Sequence, residues 1–225
     1  MHPRETTAAA LGLGLLLAVV IAAAGIRLGI CIPVLRLVHR ISASLEVLVV
    51  LWLAWLAWRR PAVQLALALT ALLSVVGIVG GQQPPPSIAA VNLLGGLLLA
   101  AVFAWILGQK GSGPFSRKRV LTPFLLVLVA IQAALGAWLA VVDRWSMALP
   151  AHALLAVTLA AILGWVALAR INGRIGKVLF GLALAVPIAG FTALHYEYAA
   201  AAALVHAAAA ALLLATAAYT FARAA

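Results

Sequence analysis

Charge is what this chain has least of: only 8% of its 225 residues are Asp, Glu, Lys or Arg, and just four of those are acidic. Soluble domains carry about 25% charged and 45–50% apolar residues, so at 67% hydrophobic the chain is no water-soluble globule. Intrinsic disorder is excluded by the same figure, since disordered segments are poor in apolar residues. A single cysteine, Cys31, excludes an internal disulfide and any cysteine-based metal cluster. Basic patches interleaved with aromatic residues are missing too, so the net charge of +11 does not point to nucleic acid. Met1–Glu5 reads as a short polar start leading straight into an apolar run, rather than as a cleavable leader.

What remains is hydrophobic length. A membrane-spanning helix takes about 20 apolar residues, so eight would use roughly 160 and leave short loops with no room for a soluble domain. Apolar runs between polar or Pro/Gly breaks predict helices at 8–28, 37–58, 62–81, 87–108, 120–142, 150–169, 175–194 and 198–222. The predicted fold class is therefore all-α, a polytopic membrane protein of eight helices in two tandem four-helix bundles. With the N-terminus inside, the inner segments hold 11 basic residues (Arg4, Arg59, Arg60, Lys110, Arg117, Lys118, Arg119, Arg170, Arg174, Lys177 and Arg223). The outer ends hold four: Arg27, Arg36, Arg40 and Arg144. Positive loops stay cytoplasmic, which puts both termini there and makes a prokaryotic plasma membrane the simplest address. The tryptophans at 52, 55, 58, 105, 138, 145 and 165 fall mostly near helix ends, as interfacial anchors do.

A duplication lies beneath the Ala/Leu background. Helices 2, 4, 6 and 8 each carry one polar residue near the outer end: His39, Asn92, His152 and His206. The separation is 113 residues from His39 to His152 and 114 from Asn92 to His206. Each follows a glycine by 14–16 residues (Gly25, Gly77, Gly136, Gly190), and each has a small residue one turn deeper: Ala43, Gly96, Ala156 and Ala210. The chain thus divides into an N-terminal half, 1–108, a cytoplasmic linker, 109–119, and a C-terminal half, 120–225.

Histidine inside a membrane usually faces the bundle and marks a site or a satisfied hydrogen bond. His152 and His206 stand at equivalent depth on helices of the same direction, and histidine is a standard axial ligand of haem iron. Two facing across a four-helix bundle leave a slot for a flat macrocycle, with Ala156 and Ala210 providing clearance one turn below. No Asp, Glu or Cys stands near enough in sequence to complete a zinc or copper set. The plainer alternative is a pair of packing histidines bonded to nearby carbonyls.

Several segments resemble the haem A synthase family. Gly25–Pro33 (GIRLGICIP) is similar to the outer end of helix 1 in that family, and Val38–Ala43 (VHRISA) to its helix 2 motif. Gln132–Ala137 (QAALGA), followed by His152–Ala156 (HALLA), resembles the start of its second half. Pro84–Asn92 (PPPSIAAVN) resembles the start of helix 4, with asparagine where the family has histidine. The resemblance covers nearly the whole chain, and order and spacing carry it. It implies a haem b held by His152 and His206. It also implies an N-terminal half that binds haem O and oxidises its methyl group, using two histidines and an outer glutamate. Here that half departs from the family. Asn92 is a poor iron ligand, Arg36 stands where the glutamate would fall, and Cys31 lacks a second cysteine. A guanidinium cannot replace a carboxylate as a base.

Other polar residues admit two readings each. Glu46 lies two turns below His39 on the same helix face, about 10 Å deeper, as a proton or quinone contact or as a structural hydrogen bond. Arg144, before helix 6, suits a haem propionate or a plain interfacial position. Arg27, Arg36 and Arg40 form an outer positive cluster for propionates, lipid phosphates or an acidic partner. Gln132 in helix 5 suits a bond to the cofactor or to another helix. His195, Tyr196 and Glu197 read as an exposed outer loop.

Three functions follow from the sequence. The first is a b-type cytochrome module with one bis-histidine haem b, embedded in lipid and passing electrons among other subunits of a larger membrane complex. A second haem or a quinone in the N-terminal half is a weaker extension of it. The second function is a divergent haem A synthase working through His39. The third is a cofactor-free structural or assembly subunit.

Overall fold

The computed structural model describes residues 1–81, 84–109, 121–141, 148–171, 173–196 and 199–224. These form eight α-helices: α1 (Pro3–Arg27), α2 (Ile32–Ala57), α3 (Pro61–Gly80), α4 (Pro86–Gly108), α5 (Leu121–Val141), α6 (Ala148–Arg170), α7 (Arg174–His195) and α8 (Ala200–Ala224). No strand occurs among the described residues. Helix is what a lipid solvent imposes, because it satisfies every backbone N–H and C=O within one segment. Seven of the helices are long and apolar enough to cross a membrane, and α5 contributes the apolar stretch Val127–Val141. The chain is a multi-pass, all-helical membrane protein.

Proline sets several starts. It occupies the first turn of α1, α2, α3 and α4, where a missing N–H leaves no bond unmade. Between α1 and α2 the chain turns faster than the sequence predicts. Gly29 adopts a left-handed conformation (φ 76°), and the amides of Gly29 and Ile30 close back on the carbonyls of Ile26 and Gly25. That is a Schellman stop. Cys31, also left-handed, then leads straight into Ile32 and Pro33. Helix α2 therefore begins at Ile32 rather than 37, and Arg36 belongs to the helix instead of the loop.

Two four-helix rings result. In the first, α1 packs on α2, α2 on α3, α3 on α4 and α4 on α1; in the second, α5, α6, α7 and α8 close in the same order. The rings meet where α4 lies against α8 and α5, and α1 against α8. Leu16, Val50, Leu53, Leu99 and Phe103 fill the first core, and Leu159, Leu163, Leu179, Leu214 and Phe221 the second. Val20 and Leu97 reach from the first half into the second core. Large apolar side chains such as Trp55, Ile78 and Leu154 point outward, the arrangement expected of a protein dissolved in lipid. Of the tryptophans, 55, 58, 138 and 165 are outward-facing, while Trp52 and Trp105 pack beside the cores. At the inner ends of α1 and α3, Glu5 and Arg60 form an ion pair at 3.0 Å.

Small residues draw the two halves together: Ala104, Ala215 and Ala218 cluster at the α4–α8 contact, as is common where helices associate in lipid. At its inner end, a side chain added at Gly108 would meet the Tyr219 carbonyl oxygen and the Ala222 methyl. Gly108→Val is therefore expected to destabilise the protein by about 1–3 kcal/mol through overpacking. Thermal unfolding in detergent measures this; an unchanged midpoint would show that α4 and α8 do not meet so closely.

Candidate functional site

The polar residues of the duplicated pattern follow one structural rule. In three of the four helix hairpins, the histidine of the second helix reaches the residue 20 positions earlier on the first. His39 Nδ1 lies 3.2 Å from the Val19 carbonyl, and His206 Nδ1 lies 2.9 Å from the Val186 carbonyl. For His152 the partner is Gln132, whose Nε2 sits 3.1 Å from the His152 carbonyl oxygen and 3.4 Å from its ring Nε2. In the α3–α4 hairpin the corresponding pair is Leu72 and Asn92, and Asn92 is half-buried.

Only the C-terminal ring brings two histidines together. The imidazoles of His152 and His206 have centres 6.2 Å apart and planes inclined at 77°. Glycines make room for them. A Cβ built at Gly136 would stand 3.0 Å from His152 Cε1, and one at Gly190 would stand 3.0 Å from His206 Cε1 and Nδ1. Contacts that short are tighter than most real ones, so a side chain at either position would push the ring aside by a few tenths of an ångström.

The glycine pattern predicted from sequence needs correcting at the other two positions. Gly25 lies against the Leu35 side chain, and Gly77 faces open space. The reason is helical phase. Gly136 and Gly190 stand 16 residues before their histidines, whereas Gly25 and Gly77 stand 14 and 15 before theirs. At 3.6 residues per turn, one or two residues of slip swing a position by about 100° or 200° around the helix. The true counterparts of the two ring-seating glycines are Ala23 and Val76.

The polar balance around His152 is incomplete. Among the described residues, only two buried side-chain polar atoms lack a hydrogen-bond partner, His152 Nδ1 and Gln132 Oε1. If the Gln132 amide donates to the ring Nε2, Nδ1 carries the proton and has nothing to receive it. Leaving a buried polar atom unpaired costs about 1–3 kcal/mol. Both orphaned atoms sit beside the paired histidines. Ala156 and Ala210, one turn below them, are half-buried.

The arrangement suits a metal-centred macrocycle by two criteria. With ring centres 6.2 Å apart, both imidazoles could hold one iron through bonds of about 2 Å. His206 spends Nδ1 on a backbone carbonyl, the outer contact that typically fixes a metal-binding histidine and leaves Nε2 for the metal. A bare metal ion fits poorly, because no group of three or more His, Cys, Asp or Glu gathers among the described residues.

The remaining predicted residues are dispersed. Glu46 is buried in the N-terminal ring and accepts a hydrogen bond from Thr70 at 3.1 Å. The outer cationic cluster is split: Arg27 is half-buried and donates to the Ala89 carbonyl on α4, whereas Arg36 and Arg40 are exposed. His195 ends α7 and packs edge-on against Tyr196. Arg144, Trp145, Glu197 and Lys110–Arg119 lie outside the described residues. Sequence reasoning missed two features, the carbonyls of Val19 and Val186, which carry no side-chain signal, and the Thr70 partner of Glu46. No family model and no curated protein matches the chain.

Proposed function

We propose that the protein is a membrane b-type cytochrome with the helical plan of the haem A synthases, holding one haem b between His152 and His206. In this reading it sits in a prokaryotic plasma membrane and passes electrons within a larger membrane complex. The observation that carries it is the opposed pair of imidazoles, 6.2 Å apart, on symmetry-related helices. Held there by His152 and His206, a haem would supply one-electron transfer.

The chain's own residues do the rest. The Val186 carbonyl accepts the His206 Nδ1 proton, fixing the tautomer and the ring orientation. Gln132 holds His152 through its backbone carbonyl and borders its ring. Gly136 and Gly190 let each imidazole lie flush against the preceding helix. Below the pair, Leu155, Leu159 and Leu163 continue the His152 face of α6 into the apolar core, which keeps water out.

Carbon monoxide tests the coordination. Added to the dithionite-reduced protein, it is expected to leave the visible spectrum unchanged, because His152 and His206 would both hold the iron. A carbon monoxide-induced shift in the native protein would mean that one histidine is not a ligand, and would remove the electron-transfer reading.

One observation favours the second reading, a divergent haem A synthase. His39 is held by Val19 as His206 is held by Val186, so the N-terminal ring retains one histidine in the same pose. Against it stand Asn92, the exposed Arg36, and Ala23 and Val76 at the ring-seating positions. Extracting the haems from membranes decides between them: haem A made by this protein alone favours the synthase, and haem b alone the cytochrome.

A further inference from the structure

The N-terminal ring contains a polar file that the haem reading does not use. His39, Ser42 and Glu46 lie on the same face of α2, the face turned toward the bundle, with Ser42 and Glu46 buried. Glu46 stands near the middle of the span, and the Thr70 hydroxyl of α3 donates to its Oε1 at 3.1 Å. Toward the inner surface the face continues as Val50, Leu53 and Ala57, all buried and all apolar. The polar run therefore lies on one side of Glu46 only: it extends from the outer end of α2 to Glu46 and stops.

No cation stands opposite Glu46 among the described residues. The helices packed on α2 are α1 and α3. The charged residues of α1 (Arg4, Glu5 and Arg27) are at its two ends, and α3 contains no acidic, basic or histidine residue. On α2 itself Arg36 and Arg40 are exposed near the outer end, which leaves His39 as the titratable group on the inward face. A bare carboxylate in hydrocarbon is strongly disfavoured, whereas a protonated carboxyl hydrogen-bonded to a hydroxyl is tolerable.

The duplication supplies an internal control. The residue 113 positions after Glu46 is Leu159, and the residue 113 after Thr70 is Ala183, both buried in the second core. The same pair of helices closes in the other half with leucine and alanine at these places, so the architecture does not call for a carboxyl there. We propose that Glu46 is a proton-binding site that exchanges with the outer surface along Ser42 and His39 and is sealed from the inner surface.

The full-length protein in liposomes, with external and internal pH set independently, tests this through dicyclohexylcarbodiimide. The reagent adds to a protonated carboxyl in apolar surroundings: the acid's proton and oxygen add across one C=N bond, and acyl migration to nitrogen yields a stable acylurea with nothing lost. Mass spectrometry is expected to find the adduct on Glu46, its rate falling as the outer pH rises and indifferent to the inner pH. Glu46→Leu should fold with an unchanged helical content and take no label there. His39→Leu should weaken the response to outer pH several-fold. Infrared spectroscopy gives a second reading that needs no reagent access, a carboxylic C=O band that shifts in D2O and is missing in Glu46→Leu. Labelling that follows the inner pH, labelling that ignores pH on both sides, or an absent carboxylic band would each overturn the proposal.

Discussion

Replacing His206 by alanine is expected to lower the haem retained through purification by about 100-fold or more, and replacing His152 to do the same. Changing the contacts behind a metal ligand already costs 10–100-fold in affinity, so losing the ligand itself should cost at least the upper end of that range. Each substitution also strands its neighbours. Without the His206 ring, the Val186 carbonyl loses its 2.9 Å partner; without His152, Gln132 keeps its bond to the backbone and loses the ring beside it. Helical content should hold, because both side chains sit near helix ends and away from the buried leucines of the second core. His39→Ala is the matched control. It removes the same kind of ring-to-carbonyl contact from the first half and should leave haem content untouched. Pyridine-haemochrome assay and far-ultraviolet circular dichroism on the four proteins measure this. Equal haem in all four would remove His152 and His206 as ligands.

Nearly as large an effect is expected at a position that never touches the iron. Gly190→Val places a branched side chain where a single Cβ would already be 3.0 Å from two atoms of the His206 ring. The imidazole must move, because the contact is with a planar ring pinned by its bond to Val186 rather than with the far end of a flexible chain. A displaced ligand should reduce haem retention by about 10–100-fold, the range seen when contacts supporting a metal ligand are lost. Gly136→Val acts on His152 in the same way. Gly77→Val, at the position that faces open space, should change nothing. Absorbance at the haem band per unit protein distinguishes the three. A full haem complement in Gly190→Val would show that the rings are not seated as described.

Much of this was legible in the sequence, for identifiable reasons. The eight helices follow from apolar run length, which the bilayer imposes. The histidine pair was visible because an unusual residue recurs at a fixed interval against an Ala/Leu background. Phase was harder to read. Gly25 and Gly77 looked equivalent to Gly136 and Gly190, and a slip of one or two residues turns them away from the site. The start of α2 was hidden because Gly29 and Cys31 reverse the chain within a few residues through left-handed backbone, which hydropathy does not register. Gln132 was visible as a polar residue suited to the cofactor or to another helix, and the 20-residue hairpin geometry is what gives it His152 of α6. Thr70 drew no notice because a threonine in a membrane helix ordinarily bonds its own backbone.

Those same phase relations bear on the N-terminal half. Ala23 and Val76 occupy the places where the C-terminal half keeps its two bare positions, and Asn92 stands where it keeps a histidine. One half seats two imidazoles against bare glycines, and the other has side chains at those places and a buried carboxyl deeper in the bundle.

The most direct measurement is the haem stoichiometry and reduced-minus-oxidised spectrum of the native protein purified from haem-replete cells. One haem b per chain with a six-coordinate low-spin spectrum is the predicted result. Protein purified from such cells without a Soret band would contradict it, and would leave the paired histidines as packing residues in a cofactor-free subunit.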